Sequence, residues 1–293
     1  MTTVPHSSPL PVPFRPRSWR SGVWERVRRS PSFLAGSIML TLLLIATVIG
    51  PMLSGFDPNE VSLDDAMMPP SAAHWFGTDN LGRDILVRVL EASRTDLEIA
   101  AVCVALPFLI GSIIGAVSAY IGGIFDAVVM RIIDIVWAFP FYVLVIAIVG
   151  SLGPSVGNMY LAFTLVVWIS FARIVRGEVL LARELEYVQA ARMLGFSHAR
   201  IVFRHLIPNV ITPAIVFAMS DVILTILAVT SLGFLGLGIQ PPQAEWGVMV
   251  AEGRNFIFDA PWITIFPGLA IIYVGITFAL ISDGLDDFLR PKS

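Results

Sequence analysis

Lysine is almost missing from this chain: its 293 residues contain one, Lys292, second from the end. A phosphate-binding loop for ATP needs a glycine-rich turn whose backbone amides hold phosphate and a lysine that reaches the terminal phosphates. No lysine is placed to do so here, so any ATP that drives this protein is hydrolysed on another chain. Cysteine is equally scarce. Cys103 stands alone in an apolar segment, which excludes an intrachain disulfide and a cysteine-rich zinc site. Charge is also thin: 14% of residues are charged against 56% hydrophobic, and the mean hydropathy is +0.80. That composition is too apolar for a soluble domain of this length and predicts an all-α, polytopic membrane protein.

What is present is a set of long apolar runs. Six spans can be drawn: Phe33 to Leu53, Leu97 to Tyr120, Val128 to Gly150, Met159 to Ile174, Ile211 to Leu237 and Trp262 to Ile281. The net charge of -3 says little, because in membrane proteins it is the placement of Lys and Arg that sets orientation. With the N-terminus inside, the inner segments hold most of the arginines, Arg173, Arg176, Arg183, Arg192, Arg200 and Arg204 among them. The outer ones keep Arg83, Arg88, Arg94 and Arg254. The expectation is a multi-pass protein with both termini in the cytoplasm.

The chain divides accordingly. Residues 1–32 read as a Pro- and Arg-rich cytoplasmic tail ending in an interfacial amphipathic helix from Ser18 to Arg29. A signal peptide is the competing reading of this start, but the run that follows is about 20 residues, a full span. Residues 33–53 form the first span, 54–96 an external loop with an amphipathic helix, and 97–293 the main transmembrane domain with a cytoplasmic loop at 176–210.

That loop, Glu178 to Asn209, is too charged to lie in lipid. Leu180, Leu181, Leu185, Val188, Ala191 and Leu194 recur at helical steps, Gly195 supplies a stop, and Ser197 can N-cap a second helix with Ile201, Val202 and Leu206 on its apolar side. Pro208 ends that helix or begins the next. The expectation is a helix-turn-helix presenting a hydrophobic ridge outside the bilayer.

The run Gln189-Ala190-Ala191, three residues, Gly195, then Ile207-Pro208 resembles the EAA loop of membrane subunits of bacterial binding-protein-dependent ABC importers. Gln189 stands where that family often has Glu, and His205 where it often has an aliphatic residue. The external segment Gly77-Thr78-Asp79-Asn80-Leu81-Gly82-Arg83-Asp84 is similar to the GTDxxGRD of the oligopeptide and dipeptide branch, in its second, permease C type subunit. So is Leu232 to Pro242 with Glu245-Trp246-Gly247, and so is the ending Asp283 to Asp287, where Asp286 replaces a commonly basic residue. The resemblance covers nearly everything after about residue 70.

The resemblance implies a type I ABC importer fold in the bacterial cytoplasmic membrane and a subunit that is no enzyme itself. It implies a homologous second permease, two ABC ATPase subunits carrying ATP and Mg, an extracytoplasmic substrate-binding protein and surrounding lipid, with no nucleic acid. The cargo implied is oligo- or dipeptides, or alternatively nickel or another small solute. By the same resemblance the loop helix after Gly195 docks on the ATPase, with Gln189, Ala190, Ala191, Gly195, Phe196, Ser197, Ala199, Arg200, Arg204 and Pro208 as coupling residues. A rival of another class is an ion-coupled secondary transporter.

Outside the motifs, Ala214, Ala218, Asp221, Thr225 and Ala228 form a small, polar stripe on the fifth span. It is either part of the translocation path, through Asp221 and Thr225, or a packing seam in which Asp221 is hydrogen-bonded. Thr78 or Asp79 is expected to cap the external helix, with Asp84 and Arg88 as an i,i+4 pair, and Arg131 with Asp134 as another. Gly111 and Gly115 suit close helix packing. His74 and Asp79 read as loop polarity rather than a metal site, and Gly153 to Gly157, which matches GxSxG, as a turn.

Overall fold

The computed structural model describes residues 30–289. The proline-rich tail, the helix expected at Ser18 to Arg29, Arg290 and Lys292 lie outside them. The first helix, α1 (Pro31–Ser54), starts where Ser30 Oγ accepts from the Phe33 amide at 3.4 Å with Pro31 in the first turn, and stops at Gly55. Its surface is apolar almost all round, with Leu42, Val48 and Met52 more than half exposed, as suits a helix that meets lipid.

The next helix, α2 (Ile85–Ile121), is the axis of the molecule at 37 residues, about 54 Å at the usual rise. The external helix and the second span, expected as separate elements around residue 96, are one unbroken rod, because nothing between Asp96 and Leu97 competes with the helix. Its cap is Asp84, whose Oδ1 accepts from the Val87 amide at 3.0 Å, and not Thr78 or Asp79.

After Gly122 come α3 (Gly123–Trp137) and α4 (Phe141–Leu152), bent by 87° at the break. The third span, expected from Val128 to Gly150, is therefore interrupted rather than one continuous helix. Pro140, which lacks an amide hydrogen and pushes Phe139 away from helical geometry, explains the site of the break. The expected fourth span falls within α5 (Val156–Ala182), whose N-cap Ser155 accepts from Asn158. Four helices of the described residues, α1, α2, α9 (Thr212–Phe234) and α11 (Trp262–Leu289), are long and apolar enough to cross a membrane, or five spans if the bent pair counts as one.

The most extensive pairing is α2 with α5. A Cβ on Gly111 would come within 2.2 Å of the Trp168 carbonyl, and one on Gly115 within 2.3 Å of that of Ala172. In lipid, helices gain little from the hydrophobic effect and associate through close packing, so these two glycines let the backbones approach. Phe163 and Phe171 fill the seam, fully buried. The remaining spans wrap this pair: α11 lies on α1 and α9, with Ser220 and Ser282 bonded at 2.6 Å and Tyr273 donating to the Met39 carbonyl at 3.0 Å.

Candidate functional site

The polar loop begins as α5 ends, with α6 (Glu186–Met193) following after a turn. Gly195 has φ +75, and two hydrogen bonds close around it: Phe196 N to the Ala191 carbonyl at 3.1 Å and Gly195 N to that of Arg192 at 3.0 Å. This is a Schellman stop, which requires a left-handed residue and so favours glycine. Ser197 Oγ then accepts from the Arg200 amide at 3.3 Å and opens α7 (His198–Arg200), as its spacing predicts. The chain runs on through a π-helical turn at Ile201–Leu206 into α8 (Ile207–Val210), where Pro208 sits in the first turn and begins an element rather than ending one.

The ridge is not where periodicity put it. Val188, Ile201 and Leu206 are fully buried, and Ala191 and Val202 nearly so, all packed into this chain's own core. Met193 and Leu194 are the apolar side chains that stand out, 90% and 72% exposed, with Phe203 half exposed. Leu181 and Leu185, expected on the buried face, are also exposed. The outward surface therefore combines Met193, Leu194, Ala199, Arg200 and Arg204 with Gln189 and Ala190 of α6. Phe196 is half-buried, stacked on His205 at 5.6 Å and covered by the Arg200 guanidinium at 4.1 Å, which fixes that side chain over the turn.

Three contacts tie this loop to the C-terminal end of α2, and none was visible in the sequence. The Tyr120 hydroxyl meets His198 Nδ1 at 3.0 Å, the Arg192 guanidinium lies over the Tyr120 ring at 5.0 Å, and Arg183 Nη1 donates to the Ala119 carbonyl at 2.7 Å. Nearby, Arg176 holds Asp126 through two bonds of 2.7 and 2.6 Å. Asp134 pairs with Arg173 of α5, which also covers Trp137 at 3.8 Å, and not with Arg131 as its spacing suggested.

Asp221 and Thr225, one helical turn apart on α9, are 8% and 3% exposed and line a cavity of about 360 Å³ beside the break between α3 and α4. Asp221 makes no hydrogen bond or ion pair among the described residues, and its Oδ2 is wholly enclosed. The seam reading required a neighbour bonded to it. The stripe instead divides: Ala214, Ala218 and Ala228 pack, while the polar pair faces space.

At the other end of α2, the segment Gly77 to Asp84 folds on itself. Asp79 accepts from the Leu81 and Arg83 amides at 2.8 and 3.0 Å and from Arg83 Nε at 2.6 Å. His74 Nδ1 lies 2.9 Å from Asp84, so His74 and Asp79 serve different partners. Arg83 Nη2 reaches Glu252 at 2.8 Å, and Arg88 sits between Asp79 and Glu252 at 3.6 Å from each rather than pairing with Asp84. Both arginines are buried, at 2% and 1% exposure, and the cluster balances these two cations with the buried Asp79 and the partly exposed Glu252. Beside it Glu245 caps α10 (Trp246–Gly253), accepting from the Gly247 and Val248 amides at 2.8 Å each. Asp96 accepts from the Trp246 amide at 3.1 Å and faces Glu245. Burial pushes Glu245 up from 4.5 to about 7, against the pull of its backbone bonds and of the Asp96 carboxyl.

Comparison with known proteins identifies the family. Residues 108–293 match the family described as binding-protein-dependent transport system inner membrane component, and residues 18–70 match the N-terminal TM domain of oligopeptide transport permease C. The chain is 42% identical over 271 residues to a probable D,D-dipeptide transport system permease protein of Escherichia coli, covering 92% of this chain and 91% of the relative. It is 38% identical over 293 residues to a dipeptide transport system permease protein of Alkalihalophilus pseudofirmus, covering 100% and 96%. An oligopeptide transport system permease protein of Bacillus subtilis is 38% identical over 267 residues, covering 91% and 88%. With matches that run from the first span through the Gly195 loop to the last helix, this multi-pass membrane chain belongs to the inner membrane component family of binding-protein-dependent transport systems.

Proposed function

We propose that the chain is the permease C type subunit of an ATP-driven peptide importer in the bacterial cytoplasmic membrane, with both termini and the Gly195 loop on the cytoplasmic side. The observation that carries this reading is the loop itself. A Schellman turn at Gly195 sets α7 at a fixed angle, leaves Met193, Leu194 and Arg200 uncovered, and is bonded to α2 through Tyr120 and Arg183. An exposed apolar pair on a braced polar loop fits a surface that a soluble partner covers. In this reading the partner is a pair of ABC ATPases that bind ATP and Mg, and a homologous permease and an external substrate-binding protein complete the assembly.

Movement is the work of this chain, and it makes no covalent bond. ATP-driven closure of the ATPases displaces α7, and the contacts at Tyr120, Arg183 and Arg192 pass that displacement to α2. The α2–α5 pair, joined along Gly111 and Gly115, then moves as one body. That motion opens the space lined by Asp221 and Thr225 to one side of the membrane or the other. Relatives named for dipeptides, D,D-dipeptides and oligopeptides support a peptide cargo. The test is purification from native membranes in mild detergent. Recovery of two ATPases and a second permease, with hydrolysis raised by peptide plus binding protein, is expected. A chain that purifies alone and transports in liposomes on an ion gradient would refute it.

A further inference from the structure

We infer that Asp221 is the counter-charge for the amino-terminal ammonium of the cargo, received in the aromatic cavity beside the break between α3 and α4. The inference rests on the peptide reading above and names the part of the peptide this site holds.

An unpaired, enclosed carboxylate in a membrane span is costly, and it persists where something cationic meets it in use. Among the described residues that line the cavity Asp221 is the only ionisable one, so the charge on its wall is negative; a neighbouring cation, Arg173, lies over the Trp137 ring and is paired with Asp134. Around it stand the rings of Trp137, Phe139, Phe141 and Phe217. Aromatic faces attract ammonium groups, and more strongly when water is excluded. The remaining polar side chains are Thr225, one turn below Asp221, and Ser170 of α5. A primary ammonium has three donors and no acceptor, and one carboxylate with two hydroxyls offers acceptors for them.

A metal ion fits the same lining poorly. Hard divalent cations take six or more oxygens, and nickel favours nitrogen ligands, whereas no histidine or second carboxylate reaches this cavity. At about 360 Å³ the space holds the first residue of a peptide with its side chain against the rings, which is within the range of small-ligand sites. The carboxyl end then lies outside the cavity, so the peptide is oriented amino end first.

The test uses the assembled transporter in proteoliposomes with its binding protein and ATP. Uptake of a free-amine tripeptide is compared with that of its N-acetyl derivative, at equal occupancy of the binding protein. Asp221→Asn should lower uptake of the free-amine peptide by about tenfold or more, the scale of a lost charge-assisted hydrogen bond. Asp221→Glu should keep most of it, and the wild type should carry the acetylated peptide no better than Asp221→Asn carries the free one. Size-exclusion profiles establish that each variant complex assembles. Peptide uptake that ignores Asp221→Asn, equal losses in the Asn and Glu variants, or equal wild-type transport of both peptides would overturn the assignment alone. A wild-type complex that takes up no peptide but carries another solute would overturn the peptide reading and this one with it.

Discussion

Tyr120 Oη and His198 Nδ1 lie 3.0 Å apart, so the last turn of α2 is hydrogen-bonded to the first residue of α7. The bond joins a buried residue of the longest described helix to an exposed loop residue, where the proposed ATPase partner would act. Tyr120→Phe keeps the ring and its packing and removes only the hydroxyl. Peptide imported per ATP hydrolysed should fall by about fivefold, the worth of one ordinary hydrogen bond, with insertion unchanged. An unaltered ratio, measured in proteoliposomes, would show that force reaches α2 by another route.

Gly195 separates strain from crowding. A Cβ built there meets nothing within 4 Å, yet φ is +75. The cost of a side chain is therefore conformational, about 1–2 kcal/mol for a β-carbon in left-handed geometry, and less for Asn. Gly195→Val should insert normally and lose uptake, while Gly195→Asn should retain most of it. Equal uptake by the glycine and valine proteins would remove the turn from the mechanism.

The ionic cluster on the far end of α2 predicts a stability effect. Asp79→Asn leaves the buried Arg83 and Arg88 facing Glu252 alone, and removing one partner of a buried charge set costs about 3–5 kcal/mol. Unfolding in detergent should shift to lower temperature by far more than for an exposed change such as Glu184→Gln.

Glu245 gives a pH dependence with a definite sign. Its carboxyl titrates at about 7 in the folded chain against 4.5 when unfolded, so between those values the native state binds more protons. The contribution of this carboxyl to stability is therefore fullest below about pH 4.5, falls as pH rises through the window, and levels above about 7. Burial raises the facing Asp96 carboxyl as well, so Glu245→Gln removes one of two raised carboxyls and should reduce the slope of this part of the melting profile, which thermal unfolding at a series of pH values reads directly.

Features set by neighbours in sequence were legible in advance. The Gly195 stop and the Ser197 cap follow from local stereochemistry and came out as expected, and the GxxxG pattern pointed to close packing at Gly111 and Gly115 without naming the helix they meet. Features set by distant partners were not. Spacing suggested Asp84 for Arg88, but Glu252, 164 residues further on, competes for it and His74 occupies Asp84. The run from Val128 to Gly150 reads as one apolar span, and a bend of 87° falls beside its Pro140. The periodicity of Ile201, Val202 and Leu206 identified an apolar face correctly, but could not say that this chain itself covers it. For Asp221 the sequence left open a packing seam or a translocation path, and the structure adds that the carboxylate is unbonded and lines a cavity.

Because α2 is a single rod held at both ends, it also works as a ruler. Arg88 is fastened near its start and Tyr120 near its finish, and each residue of an α-helix advances the side chains by about 100°. Adding or deleting one residue between them would swing Tyr120 away from His198 while Arg88 stayed in place. Length variation within α2 is thus constrained, and the phase between its two fastened ends is written in a residue count.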